Sequence, residues 1–234
     1  GAGRAFLFGR RVVIHRRGMG NGPIALVLVA LLMLAGVSLP EVFAQDAPPP
    51  VAAAFEPLAP PANVTAQAVV MEDATAGARL YGLNADERRY PASTTKLMTA
   101  LVIANNTTDW QELVTVDASD VLTAEDGESF MGLLEGDQVT VEQMMYGLML
   151  PSGNDGAHAM ARFIGGKLLA QEGASGDPIE RFVQEMNNTA ASLGLQNTHF
   201  TNAAGLYDED HYTTASDLAT IAANAYAVPM VEQA

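Results

Sequence analysis

Pro91-Ala92-Ser93-Thr94-Thr95-Lys96-Leu97-Met98-Thr99-Ala100 is the stretch on which the fold turns. It opens an apolar segment, and residues 94–104 read as a buried helix ending at Asn105-Asn106. At the start of a helix, positions i and i+3 lie on one face. Ser93 Oγ and Lys96 Nζ can therefore come within hydrogen-bond reach. A serine hydroxyl is a poor nucleophile until a neighbouring base takes its proton. A lysine can be that base only if its pKa falls, and burial or nearby positive charge lowers it. The helix N-terminus also offers free backbone N–H groups to an oxyanion forming at Ser93. With eight serines and two lysines in 234 residues, random placement gives roughly 0.07 Ser-x-x-Lys matches. The competing explanation is a surface lysine one turn into a helix.

Downstream, Ser152-Gly153-Asn154 follows Met149-Leu150-Pro151. Eight serines and 11 asparagines give about 0.4 chance Ser-x-Asn matches, so this element is weak alone. Its local explanation is a turn with Asn154 capping the next helix. Chemically, a second hydroxyl can pass a proton to a leaving amine, and a carboxamide can hold Lys96 and bind a substrate amide.

The remaining pattern is two strands followed by helices. Residues 64–71 read as a strand, residues 73–77 as a turn, and residues 79–83 as the returning strand of a hairpin. Thr140 and Gln143 have capping-box spacing ahead of a helix over 141–150. Residues 154–170 are helical in pattern, weakened by Gly165-Gly166. Asp177-Pro178-x-Glu180 starts a helix that runs to Gly194, and Thr214-x-x-Asp217 caps a last one through about residue 226. A two-stranded hairpin is rarely stable alone, so the sheet reads as unfinished at residue 234. Met144, Met145, Met149 and Trp110 read as core filling.

Upstream, residues 1–44 read as a signal peptide or N-terminal anchor. Five arginines and no acidic residue precede residue 23, and an apolar run covers residues 24–39. That run is shorter than the ~20 residues of a membrane-spanning helix. Val42-Phe43-Ala44 supplies small residues for cleavage. Cleaved or not, this places the rest outside the cytoplasm, in the periplasm or cell envelope. An uncleaved segment would touch the cytoplasmic membrane. Residues 45–62, rich in Pro and Ala, read as a linker, leaving 63–234 as the domain. From residue 23 onward the balance is 7 − 27 = −20, which excludes nucleic acid as a partner of the folded part. Cysteine is absent, so thiol catalysis and disulfides are excluded. The histidines at 15, 158, 199 and 211 include no i, i+4 pair, which argues against zinc.

Taken together these segments resemble the low-molecular-mass penicillin-binding proteins of the D-alanyl-D-alanine carboxypeptidase family (peptidase family S11). Ser93-Thr94-Thr95-Lys96-Leu97-Met98 resembles the family's nucleophile segment, and Leu148-Met149-Leu150-Pro151-Ser152-Gly153-Asn154-Asp155 its second motif. The likeness continues through Thr198-His199-Phe200-Thr201-Asn202, Gly205-Leu206 and Thr214-Ala215-Ser216-Asp217. It implies an α/β (α+β) fold of the β-lactamase/DD-peptidase-like transpeptidase type, a helical cluster packed on an antiparallel sheet.

It further implies Ser93 as nucleophile, Lys96 as general base, Ser152 as proton relay and Asn154 as the substrate-binding amide that orients Lys96. The implied substrate is a peptidoglycan stem peptide ending in D-Ala-D-Ala. β-Lactams are the implied inhibitors, acylating the same Ser93, and neither metal nor cofactor is implied. The family's third motif, Lys-Thr-Gly, does not occur in the chain. The resemblance places it beyond residue 234, so a C-terminally truncated fragment, inactive or nearly so, is expected. A class A β-lactamase is a weaker alternative, because no Glu has Asn four residues later. A non-catalytic peptidoglycan-binding protein of the same fold is the other.

Overall fold

The segment after Pro91 does become the central helix. The computed structural model describes residues 64–234 apart from 75, 76, 124 and 126, all within one compact unit, Phe55–Ala234. The expected leader (1–44) and linker (45–62), and residue 63 at the expected domain start, lie outside the described residues. A 3-10 turn, Ala92–Thr95, leads into α1, Lys96–Asn105. Met98, Thr99, Ala100, Leu101, Val102 and Ile103 of α1 are all buried, as expected of a helix that is apolar all round.

The other helices pack around it. In α2, Val141–Met149, the capping box forms in both directions: Gln143 N–H donates to Thr140 Oγ1 at 3.1 Å, and Thr140 N–H to Gln143 Oε1 at 3.0 Å. Its Met144 and Met145 are fully buried, the core role expected of them. α3, Asn154–Glu172, is continuous through Gly165-Gly166. α4, Pro178–Ser192, is capped by Asp177, whose carboxylate accepts from Ile179 N–H at 2.7 Å and Glu180 N–H at 3.2 Å. At its other end Leu195 N–H reaches the Ala190 carbonyl and Gly194 N–H the Ala191 carbonyl, both at 3.0 Å, a Schellman closure. Phe182, Met186 and Ala190, four residues apart, form the face that α4 buries.

Among the described residues the strands are fewer than the helices and none exceeds six residues. β1, Val69–Asp73, pairs antiparallel with β2, Ala78–Leu83, with an irregularity between Met71 and Glu72. β1 starts five residues later than the sequence pattern suggested, because a strand needs a partner and β2 is only six residues long. The hairpin lies against α5, Ala215–Tyr226, where Arg79 Nη2 donates to Ser216 Oγ at 2.6 Å. A second pair, β3 (Leu113–Thr115) with β4 (Gln138–Thr140), was not legible in the sequence. Three residues are too few to show a period of two. A short sixth helix, α6 (Pro229–Gln233), follows α5, which is therefore not the last.

Gly165 explains why the double glycine does not weaken α3 where it matters. A Cβ there would lie 1.8 Å from the Pro178 carbonyl oxygen, whereas one at Gly166 would meet nothing within 4 Å. Gly165 lets the start of α4 rest directly on the α3 backbone, while Gly166 only costs helix propensity. Gly165→Ala is expected to lower the free energy of unfolding by about 2 kcal/mol or more through overpacking. Gly166→Ala should raise it by about 0.5–1 kcal/mol. Urea titrations of the two variants check these opposite signs.

Candidate active site

The 3-10 turn sets Ser93 one turn ahead of Lys96. Lys96 is only 3% exposed, whereas Ser93 is exposed. Lys96 Nζ donates to Ser93 Oγ at 3.3 Å, Asn154 Oδ1 at 2.6 Å and the Ala204 carbonyl at 2.9 Å. The alternative of a surface lysine is thereby excluded. Burial pushes the Lys96 pKa down, and the negative charges of Glu128 and Asp155 push it back only partly, leaving it at about 8.

Asn154 comes from the other side of the cleft. The local explanation, that it caps α3, does not hold: Gly153 occupies the cap position, with no side-chain cap bond. As the first residue of α3, Asn154 instead turns its carboxamide to Lys96 and Glu128, with Nδ2 donating to Glu128 Oε2 at 2.7 Å. Its own N–H donates to the Ser129 carbonyl at 2.8 Å. Next to it Asp155, fully buried, accepts from the N–H groups of Met131, Gly132, Leu133 and Gly156. This carboxylate clamps residues 131–133 onto the N-terminus of α3, where the helix dipole also favours it.

Ser152 stands two residues before Asn154, at φ +60°. Its hydroxyl bonds to neither Ser93 nor Lys96, so three of the four expected residues are joined by hydrogen bonds and Ser152 is not. Ala92, immediately before Ser93, has φ +49°. Such backbone costs on the order of 1–2 kcal/mol per residue and concentrates where geometry serves function.

The third wall is the turn at 202–206. Asn202 Oδ1 accepts from the N–H groups of Ala204, Gly205 and Leu206. Thr99 Oγ1 donates to the Ala203 carbonyl at 2.7 Å. A Cβ at Gly205 would lie 1.9 Å from the Ala92 carbonyl oxygen, so only glycine lets this turn press against the segment carrying Ser93. Beneath it His211, 1% exposed, accepts from Thr201 N–H through Nδ1 at 3.1 Å. A backbone N–H can only donate, so Nε2 carries the proton and donates to Thr95 Oγ1 at 2.8 Å. Sequence reasoning missed Glu128, the Ala204 carbonyl and His211, because each arrives from a segment far away in the chain.

Elsewhere, Asp120 is fully buried and pairs with the partly exposed His158 and Arg162. Burial raises its pKa, but hydrogen bonds from His158 and Arg162 outweigh that and hold it at about 2. No group of three or more His, Cys, Asp or Glu among the described residues is arranged to hold a metal.

Burial pushes the His211 pKa down to about 4. The unfolded chain binds that proton near its ordinary value of about 6.5. Stability from the neutral imidazole is therefore present above pH ~6.5 and is lost as pH falls toward 4. Acidification from pH 7 to 5 is expected to cost up to about 2 kcal/mol through this residue. Urea unfolding at the two pH values should show a smaller loss for His211→Gln. Equal losses would remove His211 as the cause.

A family model described as D-alanyl-D-alanine carboxypeptidase matches residues 54–233. The D-alanyl-D-alanine carboxypeptidase DacF of Bacillus subtilis is 38% identical over 161 residues, covering 67% of this chain and 38% of its own length. The D-alanyl-D-alanine carboxypeptidase of a Streptomyces species, strain K15, is 41% identical over 153 residues, covering 64% of this chain and 50% of its own. The crystal structure of the Streptomyces K15 DD-transpeptidase superposes with a TM-score of 0.62 at 35% identity, over 71% of this chain and 63% of that one. That of the carboxypeptidase DacD from Francisella tularensis gives 0.62 at 33% identity, over 72% of this chain and 38% of that one. The chain thus spans 38–50% of the length of these two curated relatives.

Proposed function

Since the chain belongs to the D-alanyl-D-alanine carboxypeptidase family, we propose that it is the part of a serine carboxypeptidase carrying the nucleophile and its base. The substrate is a peptidoglycan stem peptide ending in D-Ala-D-Ala. The observation that carries this reading is the 3.3 Å approach of the buried Lys96 amine to an exposed Ser93 hydroxyl. A water-poor amine with a pKa near 8 is neutral often enough to act as a base.

In this proposal the neutral Lys96 takes the Ser93 Oγ proton as the oxygen attacks the carbonyl of the penultimate D-alanine. The tetrahedral intermediate collapses, the C–N bond breaks, and the departing D-alanine amine receives a proton through the Ser152 hydroxyl. An ester on Ser93 remains. Water then attacks it and gives a proton to Lys96, the bond to Ser93 Oγ breaks as Lys96 returns that proton to the oxygen, and the shortened peptide leaves with a carboxyl group that ionises. Asn154, which borders a cavity, holds the Lys96 amine throughout and is the amide that would meet a substrate amide. β-Lactams would acylate Ser93 by the same first step. We place the folded part outside the cytoplasmic membrane, supported by the basic, then apolar, leader pattern of residues 1–44.

The test uses the whole gene product that carries residues 1–234. A fluorescent penicillin is expected to label it covalently, and Ser93→Ala should abolish labelling. Equal labelling of both would take the nucleophile role from Ser93. Lys96→Met should slow acylation by about 10²–10⁴-fold. The neutral fraction of Lys96 rises from about a tenth at pH 7 to about half at pH 8. The acylation rate is therefore expected to climb roughly fivefold over that interval. A flat profile would assign the base elsewhere.

A further inference from the structure

Glu128 is not part of either motif, yet it ends one hydrogen bond from the amide that holds Lys96. Three features place it there. The Asn154 N–H is tied to the Ser129 carbonyl at 2.8 Å, so residue 128 is delivered to the start of α3. Asp155 pins Met131, Gly132 and Leu133 immediately beyond. The Glu128 carboxylate then accepts from Asn154 Nδ2 at 2.7 Å. No lysine, arginine or histidine lies within ion-pair distance of it among the described residues. It borders a cavity of about 200 Å³ lined also by Asn154, Asn202, Ala204 and Leu206.

A carboxamide has two ends of nearly equal shape and opposite polarity. A carboxylate can only accept, and an ammonium can only donate. With Glu128 on one side, Asn154 must turn its NH₂ to the carboxylate, which leaves Oδ1 facing Lys96. Without that carboxylate the amide could rotate and turn an N–H against the amine. The charge matters as well. The ionisable groups felt by Lys96 are Glu128, from the segment before residue 129, and Asp155, from α3. Its other close partners, Ser93, Asn154 and the Ala204 carbonyl, carry no charge. Asp155 is saturated by four backbone N–H donors, so Glu128 is the one less engaged by its own surroundings.

We propose that Glu128 is a positioning residue for Lys96, acting through Asn154: it fixes which end of the carboxamide meets the amine and sets how firmly that amine holds its proton. This deepens the reading of Ser93 and Lys96 given above and rests on it for its catalytic meaning. The balance has an evident use. Too firm a hold leaves Lys96 cationic and unable to take the Ser93 proton, and too weak a hold makes it a poor acceptor.

The chain contains only two lysines, Lys96 and Lys167. The whole gene product, grown with lysine carrying ¹³C at Cε, is titrated by NMR, the Lys96 and Lys167 signals being assigned by their loss in Lys96→Met and Lys167→Arg, and Lys167, which pairs with Glu112 at 2.6 Å, serves as the internal reference. Glu128→Gln keeps an acceptor of similar shape and removes the charge. It is expected to lower the Lys96 midpoint by about half a pH unit or more while the Lys167 midpoint stays in place. Glu128→Asp, which retains the charge, should stay close to the unmutated protein. The pH profile of penicillin acylation should move to lower pH in the Gln variant by the same amount. An unchanged Lys96 midpoint in Glu128→Gln, or an Asp variant that behaves like the Gln one, overturns the proposal. The NMR midpoint is read without any reaction, so its failure is distinct from a failure of Ser93 to be acylated, which would overturn the function instead.

Discussion

An amine has been taken out of water at Lys96, and much of the surrounding structure answers to that. Moving an ammonium into a protein interior is costly unless hydrogen bonds replace its hydration. Here the replacements are a hydroxyl, a carboxamide oxygen and a main-chain carbonyl, at 3.3, 2.6 and 2.9 Å. They come from the turn before α1, the first residue of α3 and the turn at 202–206. Three segments of the chain must therefore meet at one nitrogen. Burial pulls the pKa of the amine down and the negative charges of Glu128 and Asp155 restore it only partly, which leaves it at about 8.

Each of those segments is held by polar groups that leave little slack. Asp155 gathers four N–H groups at the head of α3, and Asn202 gathers three within its own turn. His211, with its tautomer set by the Thr201 N–H, joins that turn to Thr95 between Ser93 and Lys96. These buried bonds are strong because the surroundings are dry, and for the same reason each is expensive to leave half-made. Two of the three non-glycine residues with positive φ among the described residues, Ala92 and Ser152, sit at the edges of this arrangement. Gly205 permits the closest backbone approach to it.

The apolar core gives these polar clamps something rigid to act against. α1 is buried on nearly every side, so Lys96 is anchored to an element with no freedom to shift. α3 is pinned to α4 through the contact that Gly165 allows. A displacement of about 1 Å between Ser93 and its base is enough to cost large factors in rate, which is why a close-packed helical cluster suits this chemistry.

What the amino-acid sequence determined by itself was local. The helices over α1 to α5, the capping box at Thr140, the Asp177 cap and the closure at Gly194 all follow from residues within a turn or two of one another. The Ser93–Lys96 pair was legible for the same reason, since three residues on a helical turn are neighbours in any fold. Asn154 was singled out by its motif, and of its two readings the structure takes the one that faces Lys96 and not the helix cap, which falls to Gly153. Only the tertiary structure decided the rest. Glu128, Ala204 and His211 lie 32, 108 and 115 residues from Lys96 in the chain, and no local pattern records such a distance. The short β3–β4 pair was hidden for the same reason, since three-residue strands exist only through the partner they find. The pKa of Lys96 belongs to this class too: it is a property of burial, and burial is the sum of contacts made by the whole chain.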